Sequence, residues 1–235
     1  MRAIGGIVCA TLAALLISAF WSMDAPVVDV SRQVAESLAD TGVQHPVTAV
    51  LLGYRALDTL LEIAVLLMAV LAVSIVRAPF QSSALPSTLH ANEAAAPTVD
   101  PIIAVALKIL LPLMVLFAGY LLWAGSTQPG GAFQAGALLA AIAVALRLAG
   151  LLSLQILAAT WWRLGAVIGL LAFAILGTLP LLWGDAFLRF PKPVAGMFVI
   201  GIETLLSFSI AVCLASLFIT ASALKQDDAD KSEAP

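Results

Sequence analysis

A polytopic, all-helical membrane protein with about six transmembrane helices is the fold this 235-residue sequence predicts. Three observations predict it. Hydrophobic residues make up 62% of the chain and charged residues 11%, and the mean hydropathy is +1.08. A soluble domain is about 45–50% apolar and about 25% charged. The apolar residues are gathered into six long runs, Ala3–Trp21, Val47–Val76, Ile102–Ala124, Ala132–Gly150, Leu164–Trp183 and Val194–Ser222. None of the runs alternates with period two. In lipid only helices or closed barrels satisfy every backbone polar group, so the runs read as helices.

In chain order, Ala3–Trp21 follows Arg2 and resembles a signal peptide in outline. It is longer than an ordinary apolar signal core, and Trp21-Ser22-Met23-Asp24 makes a poor small-residue cleavage site, so it is expected to stay as a helix. Ser22–Pro46 is an acidic loop in which Val30–Ala39 suits a short amphipathic helix on the membrane surface. The next four runs and the last are each read as long enough, at about 1.5 Å per residue, to cross a core of about 30 Å. Between the second and third, Ala78–Pro101 is rich in Ala, Ser and Pro and reads as an irregular linker. It divides the chain into a two-helix segment (1–78), the linker (79–100), a four-helix segment (101–223) and a charged tail (224–235), which is expected to be disordered.

Lys and Arg in the loops set orientation. Six spans place Arg2, Arg77, Arg147, Arg163, Lys225 and Lys231 on one side and Arg32, Arg189 and Lys192 on the other. Both termini are therefore expected in the cytoplasm, with the chain in the cell's inner (plasma) membrane.

Arg55, Asp58 and Glu62 fall inside the second run at spacing i, i+3, i+7, which places them on one helical face. Charges at a helix centre cost about 2.5–3.5 kcal/mol each on insertion scales, and each Leu, Ile or Val contributes about 0.3–0.6 in the other direction. The sixteen such residues of this run barely balance the three charges. That face must meet protein or water. Two readings stand side by side: an Arg55–Asp58 pair that glues helices, and a functional site, to which Glu62 points because it has no partner in its own helix. Lys108 lies early in the third run, four residues before Pro112. It suits either snorkelling to the interface or a buried role. Glu203, in Gly201-Ile202-Glu203-Thr204, is too short to snorkel easily and reads as buried.

Pro129-Gly130-Gly131 marks a turn between the third and fourth runs. Beyond it Ala132, Gly136 and Ala140 are small residues four apart, as are Gly165 and Gly169 in the fifth run, a spacing that lets helices approach closely. Cys9 and Cys213 sit in apolar runs and read as small packing residues. No phosphate-binding loop, catalytic triad or metal motif is visible, and His45 and His90 are isolated. An enzyme, a cofactor and a metal site are therefore not expected. The net charge of −3 and the lack of a basic cluster give no sign of nucleic-acid binding.

Gly53-Tyr54-Arg55-Ala56-Leu57-Asp58-Thr59-Leu60-Leu61-Glu62 resembles the FRALDTLGE signature. That signature marks the C-terminal part of the large subunit of Mrp-type multisubunit cation/proton antiporters and the matching small subunit of membrane-bound hydrogenases. Tyr54 and Leu61 depart from it; Arg55, Asp58 and Glu62 match. Pro129-Gly130-Gly131-Ala132-Phe133-Gln134-Ala135-Gly136, on to Gly201-Ile202-Glu203, is similar to the second subunit of the same antiporters, where the turn usually reads PGGGFQGG. Ala132 and Ala135 depart from that pattern. The resemblance covers nearly the whole chain as two family segments in tandem. It implies a subunit of a complex that moves Na+ and H+, with other subunits and the lipid bilayer as partners. It also implies Arg55, Asp58, Glu62, Lys108 and Glu203 as residues of the translocation path. The equivalent module of a hydrogenase-like complex and a purely structural scaffold remain alternatives.

Overall fold

The computed structural model describes residues 2–22, 30–41, 45–83 and 101–233. Every regular element among them is helical. Two compact units are present, Met1–Glu36 and Ser37–Pro235. In the first, α1 (Arg2–Trp21) follows the first apolar run for 20 residues. Next comes α2 (Val30–Thr41), which supplies the short helix expected after the acidic loop. Arg32 Nε donates to Glu36 Oε1 one turn on, at 2.8 Å.

The second apolar run is not the single continuous helix its composition suggests. α3 (Pro46–Thr48) opens with a proline where a helix needs no N–H. It passes directly into a π-helical stretch, Ala49–Tyr54. Arg55 ends that stretch with φ −121° and ψ 33°, and its N–H donates to the Val50 carbonyl five residues back at 2.8 Å. Only then does α4 (Ala56–Ser83) begin. Gly53 weakens the α-helix locally. The Thr59 hydroxyl donates to the Leu51 carbonyl at 2.8 Å, giving a partner to a group that the widened turn leaves without its usual one. The membrane-length part of α4 is Ala56–Val76. α4 also carries the start of the expected linker, through Ser83; residues 84–100, with His90, lie outside the described residues.

α5 (Pro101–Ala124) runs through Pro112 as one helix. A turn leads to α6 (Ala132–Leu148), which has 17 residues. At 1.5 Å each these reach about 25 Å, at the short end of what crosses a core of about 30 Å. A 3-10 turn, Leu154–Ala158, precedes α7 (Thr160–Thr178), and a second, Leu179–Trp183, follows it. The last helix, α8 (Lys192–Glu233), is 42 residues long. The tail expected to be disordered is therefore helical through Glu233. No Pro or Gly interrupts the chain after Gly201 within this helix, and Ala, Lys, Gln and Leu favour continuation. Among the described residues, four stretches are long and apolar enough to cross a membrane: Ala56–Val76, Pro101–Ala124, Thr160–Trp183 and Pro193–Ser222.

In the second unit α8 is the helix against which α4, α5, α6 and α7 pack. Small residues set those contacts. A Cβ on Gly136 would lie 2.8 Å from the Ser207 carbonyl oxygen and from Ile210 Cβ, and one on Gly169 would lie 2.5 Å from Ser209 Cβ. Hydrogen bonds lock the α7–α8 contact: Ser209 Oγ donates to the Ala166 carbonyl at 2.6 Å, and Trp162 Nε1 to Ser216 Oγ at 2.8 Å. Buried Cys213 shares that carbonyl of Ala166, with Sγ at 3.7 Å; the side chain of Cys9 lies outside those described. The pairings fix direction. Gly131 meets Glu203 and Gly136 meets Ile210, so α6 and α8 are parallel; Trp162 meets Ser216 and Gly169 meets Leu205, so α7 is antiparallel to both. This alternation is what successive membrane crossings require.

Candidate functional site

Two groups of charged and turn residues stand out. The first is at the start of α4. Arg55 Nη2 pairs with Asp58 Oδ2 across the break between the π-helical stretch and α4, and both side chains are open, 69% and 46% exposed. Asp58 lies in the first turn of α4, where the exposed N–H groups of the helix favour an acid. Glu62, one turn on, is exposed, and no ion pair or hydrogen bond forms to it among the described residues. Because the π-helical stretch ends at Arg55, the three charges sit at the head of α4 rather than at the centre of a continuous span. The insertion penalty is correspondingly smaller than mid-helix charges would carry.

The face they occupy is turned away from this chain's own core. Ala56, Ile63, Leu60 and Leu66 of α4 join the core with Ile202, Leu206 and Ile210, while Tyr54, Leu57, Leu61, Val65 and Met68 stay exposed. A row that mixes charge with large apolar groups and faces outward from a membrane helix suits another protein surface better than acyl chains.

The second group surrounds Glu203. Its side chain is 6% exposed, and its Oε2 is buried with no hydrogen-bond partner among the described residues. The neighbouring turn brings Gly131 to it. Three backbone bonds shape the turn: Gln128 N to Ala124 O (2.7 Å), Thr127 N to Ala124 O (2.9 Å) and Gly131 N to Leu121 O (2.9 Å). A Cβ on Gly130 would strike the Leu121 carbonyl oxygen at 2.4 Å. Gly131 is the N-cap residue of α6 and holds φ +119°, a conformation that only glycine adopts without strain. The point where its Cβ would stand is 3.4 Å from Glu203 Oε1 and 3.8 Å from Gln134 Oε1. Pro129 is exposed at the tip. The α3 segment closes over the same turn: Thr48 Oγ1 donates to the Gly125 carbonyl, and His45 N to that of Ser126 at 3.0 Å.

The structure thus joins Gly131 to Glu203, two residues separate in the sequence. It gives Gly136, Gly165 and Gly169 to the α6–α8 and α7–α8 contacts. It does not bring Lys108 to Glu62: Lys108 is exposed on α5, which packs on α6 and α8, whereas α4 packs on α8 and α7. Sequence reasoning missed Thr48 and gave Thr59 and Gln134 no part beyond their place in the two motifs. Thr48 signals itself only as a polar side chain inside an apolar run, and a separation of 72 residues between Gly131 and Glu203 carries no local pattern.

Fold and site together define a multi-pass helical membrane protein with charged residues held inside the apolar zone. Residues 102–221 match the family described as a domain related to the MnhB subunit of Na+/H+ antiporter, and the chain belongs to that family. Two solved structures share its fold. One is a chain of the Mrp complex from Dietzia sp. DQ12-45-1b, with a TM-score of 0.61 and 23% identity over 91% of this chain. The protein spans about a quarter (25%) of that chain's length. The other belongs to the membrane-bound sulfane sulfur reductase, an archaeal respiratory membrane complex; its TM-score is 0.64 and its identity 20%, over 94% of this chain and 97% of that one. Among curated proteins none matches at the sequence level.

Proposed function

We propose that this chain is a membrane subunit of an Mrp-type multisubunit sodium/proton antiporter in the inner (plasma) membrane. In this reading it joins a segment like the C-terminal part of the large antiporter subunit to one like the MnhB subunit. Arg55, Asp58, Glu62, Lys108 and Glu203 contribute to ion or proton translocation. The observation that carries the reading is Glu62: a carboxylate without a partner among the described residues, beside an ion pair, on a face of α4 that this chain leaves open to a neighbouring subunit. An intramembrane carboxylate so placed is a functional site by default. Membership of the MnhB-related family supports the same reading. Arg55 pairs with Asp58 and leaves Glu62 as the group on that face open to a cation or a neighbouring subunit.

A second reading is favoured by one observation. The archaeal sulfane sulfur reductase chain matches along 97% of its own length, so the same fold serves a respiratory complex. There the ion flux would be driven by electron transfer in other subunits. Subunits that co-purify in mild detergent separate the two readings. The direct test of Glu62 is ion flux in membrane vesicles, normalised to intact complex. Glu62→Gln abolishes flux and Glu62→Asp retains part of it. Full flux from a correctly assembled Glu62→Gln complex would reduce the chain to a scaffold.

A further inference from the structure

The space over Gly131 has features that packing alone does not explain. It lies at the N-terminus of a 17-residue helix, whose first N–H groups have no intrahelical partner. One oxygen of a buried carboxyl, Glu203 Oε1, borders it, and so does the side-chain oxygen of Gln134. The other carboxyl oxygen, Oε2, is buried without a partner among the described residues, an arrangement that is costly for an acceptor unless something binds it. The depth matters too. Glu203 stands ten residues beyond Pro193, where the apolar span of α8 begins, about 15 Å along the helix.

The charged groups described on α4, α5, α6 and α7 are otherwise engaged or turned away, and His45, at the head of α3, is tied to the turn through its backbone N–H, which donates to the Ser126 carbonyl at 3.0 Å. On α4, Arg55 pairs with Asp58 and Glu62 is exposed; on α5, Lys108 is exposed. On α6, Arg147 Nη1 donates to the Leu152 carbonyl at 2.9 Å, and on α7, Arg163 Nε donates to that of Leu157 at 3.4 Å. None of these cations is in place to pair with Glu203. A metal ion is poorly suited to the space: it would face the positive end of the α6 dipole, and no group of three His, Cys, Asp or Glu side chains converges there among the described residues.

We propose that Glu203 is a proton-exchange site set against the N-terminus of α6, with Gly131 keeping open the space beside its carboxyl and Gln134 as its polar neighbour. The inference deepens the antiporter reading and rests on it for its purpose, though not for its test. On uptake a hydronium gives its proton to Oε2, an O–H bond forms and water is left. On release that bond breaks, the electron pair stays on the carboxylate, and a water carries the proton away. The positive end of the α6 dipole, at Gly131, favours the ionised form. A side chain at position 131 would fill the space and force a strained backbone.

The test is infrared difference spectroscopy, between acidic and alkaline buffer, on the intact complex isolated with this chain. The expected result is a protonated-carboxyl band that shifts in deuterated water and is lost in Glu203→Gln. Should Glu203→Gln fail to assemble, Gln134→Leu, at an exposed position, keeps the test open: the band should then move in frequency. A spectrum unchanged by Glu203→Gln, or by Gln134→Leu where that is the variant that assembles, overturns the proposal. So does the absence of any such band in the unmodified complex. Full flux in Glu62→Gln with the Glu203 band in place would overturn the role given to Glu62 alone.

Discussion

Missing atoms decide much of the packing at the scale of single residues. A Cβ at Gly169 would enter the space of Ser209 Cβ at 2.5 Å and approach the Leu205 carbonyl oxygen at 3.0 Å. The α7–α8 contact has no slack, because Ser209 is tied to the Ala166 carbonyl in the same turn. Overpacking a tight contact costs about 1–3 kcal/mol. An interhelical hydrogen bond in a membrane averages about 0.6 kcal/mol, and Ser216, which accepts from Trp162, keeps its own bond to the Val212 carbonyl at 2.6 Å. Gly169→Val is therefore expected to lower the thermal midpoint of the purified complex clearly more than Trp162→Phe. Equal losses in a melting experiment would contradict the close approach of the two helices. The spacing of Gly165 and Gly169 was readable in the sequence as a packing signal; that Ser209 and Phe208 are what they pack against was not, since those partners are some forty residues away.

Where helices start and stop matters most at the scale of elements. The π-helical stretch before α4 moves Arg55 from the interior of a span to its head, and it makes the Arg55–Asp58 pair a bridge across a break. Removing one partner of such a pair leaves the other charge uncompensated. Arg55→Ala is expected to reduce the amount of assembled complex, and Arg55→Ala with Asp58→Ala is expected to recover part of it, because the stranded carboxylate is gone. Quantifying intact complex on native gels decides this; a double variant no better than the single one would mean that Arg55 acts through something other than Asp58. Thr59→Val removes the hydroxyl that bonds to the Leu51 carbonyl. A typical hydrogen bond contributes about 0.5–1.5 kcal/mol, so the expected loss is a modest fall in thermal midpoint with assembly preserved. An unchanged midpoint would show that the stretch holds its shape without that bond.

The whole molecule shows how much of its apolar surface is left for others. Few residues in the membrane-length parts of α4 and α5 are buried, whereas half of the α8 span is (50%). Scattered apolar exposure is ordinary for a lipid-facing helix, but α4 adds Asp58 and Glu62 to its open face. The chain is expected to be degraded or to aggregate when expressed alone, and to become stable when its partner subunits are co-expressed. A monodisperse, long-lived monomer in mild detergent would contradict this. Orientation can be tested at the same scale. The excess of Lys and Arg on one side predicts that tags on both termini resist external protease in intact cells, while a reporter in the Ser22–Pro46 loop is reached. Cleavage of a C-terminal tag would reverse the orientation.

Hydropathy and a few short motifs were enough to read an all-helical membrane protein, the positions of its apolar runs, the short helix at Val30–Ala39, the turn at Pro129-Gly130-Gly131 and the family. These are properties of composition and of neighbours along the chain, and lipid imposes them locally: a run long enough to cross must be helical wherever it is placed. The length of α6, the break at Arg55 and the helical continuation to Glu233 were not legible, because each depends on how backbone hydrogen bonds are shared out at an element's end. Tertiary structure alone decided which charges are covered. Glu62 and Glu203 are both carboxylates within apolar runs, and nothing in the sequence tells which of them is covered. Packing of α4 leaves the first outside, whereas the α5–α6 turn and the missing side chain of Gly131 enclose the second. That difference arises from contacts between distant segments, and the burial of a charge is settled by what comes to lie beside it in space.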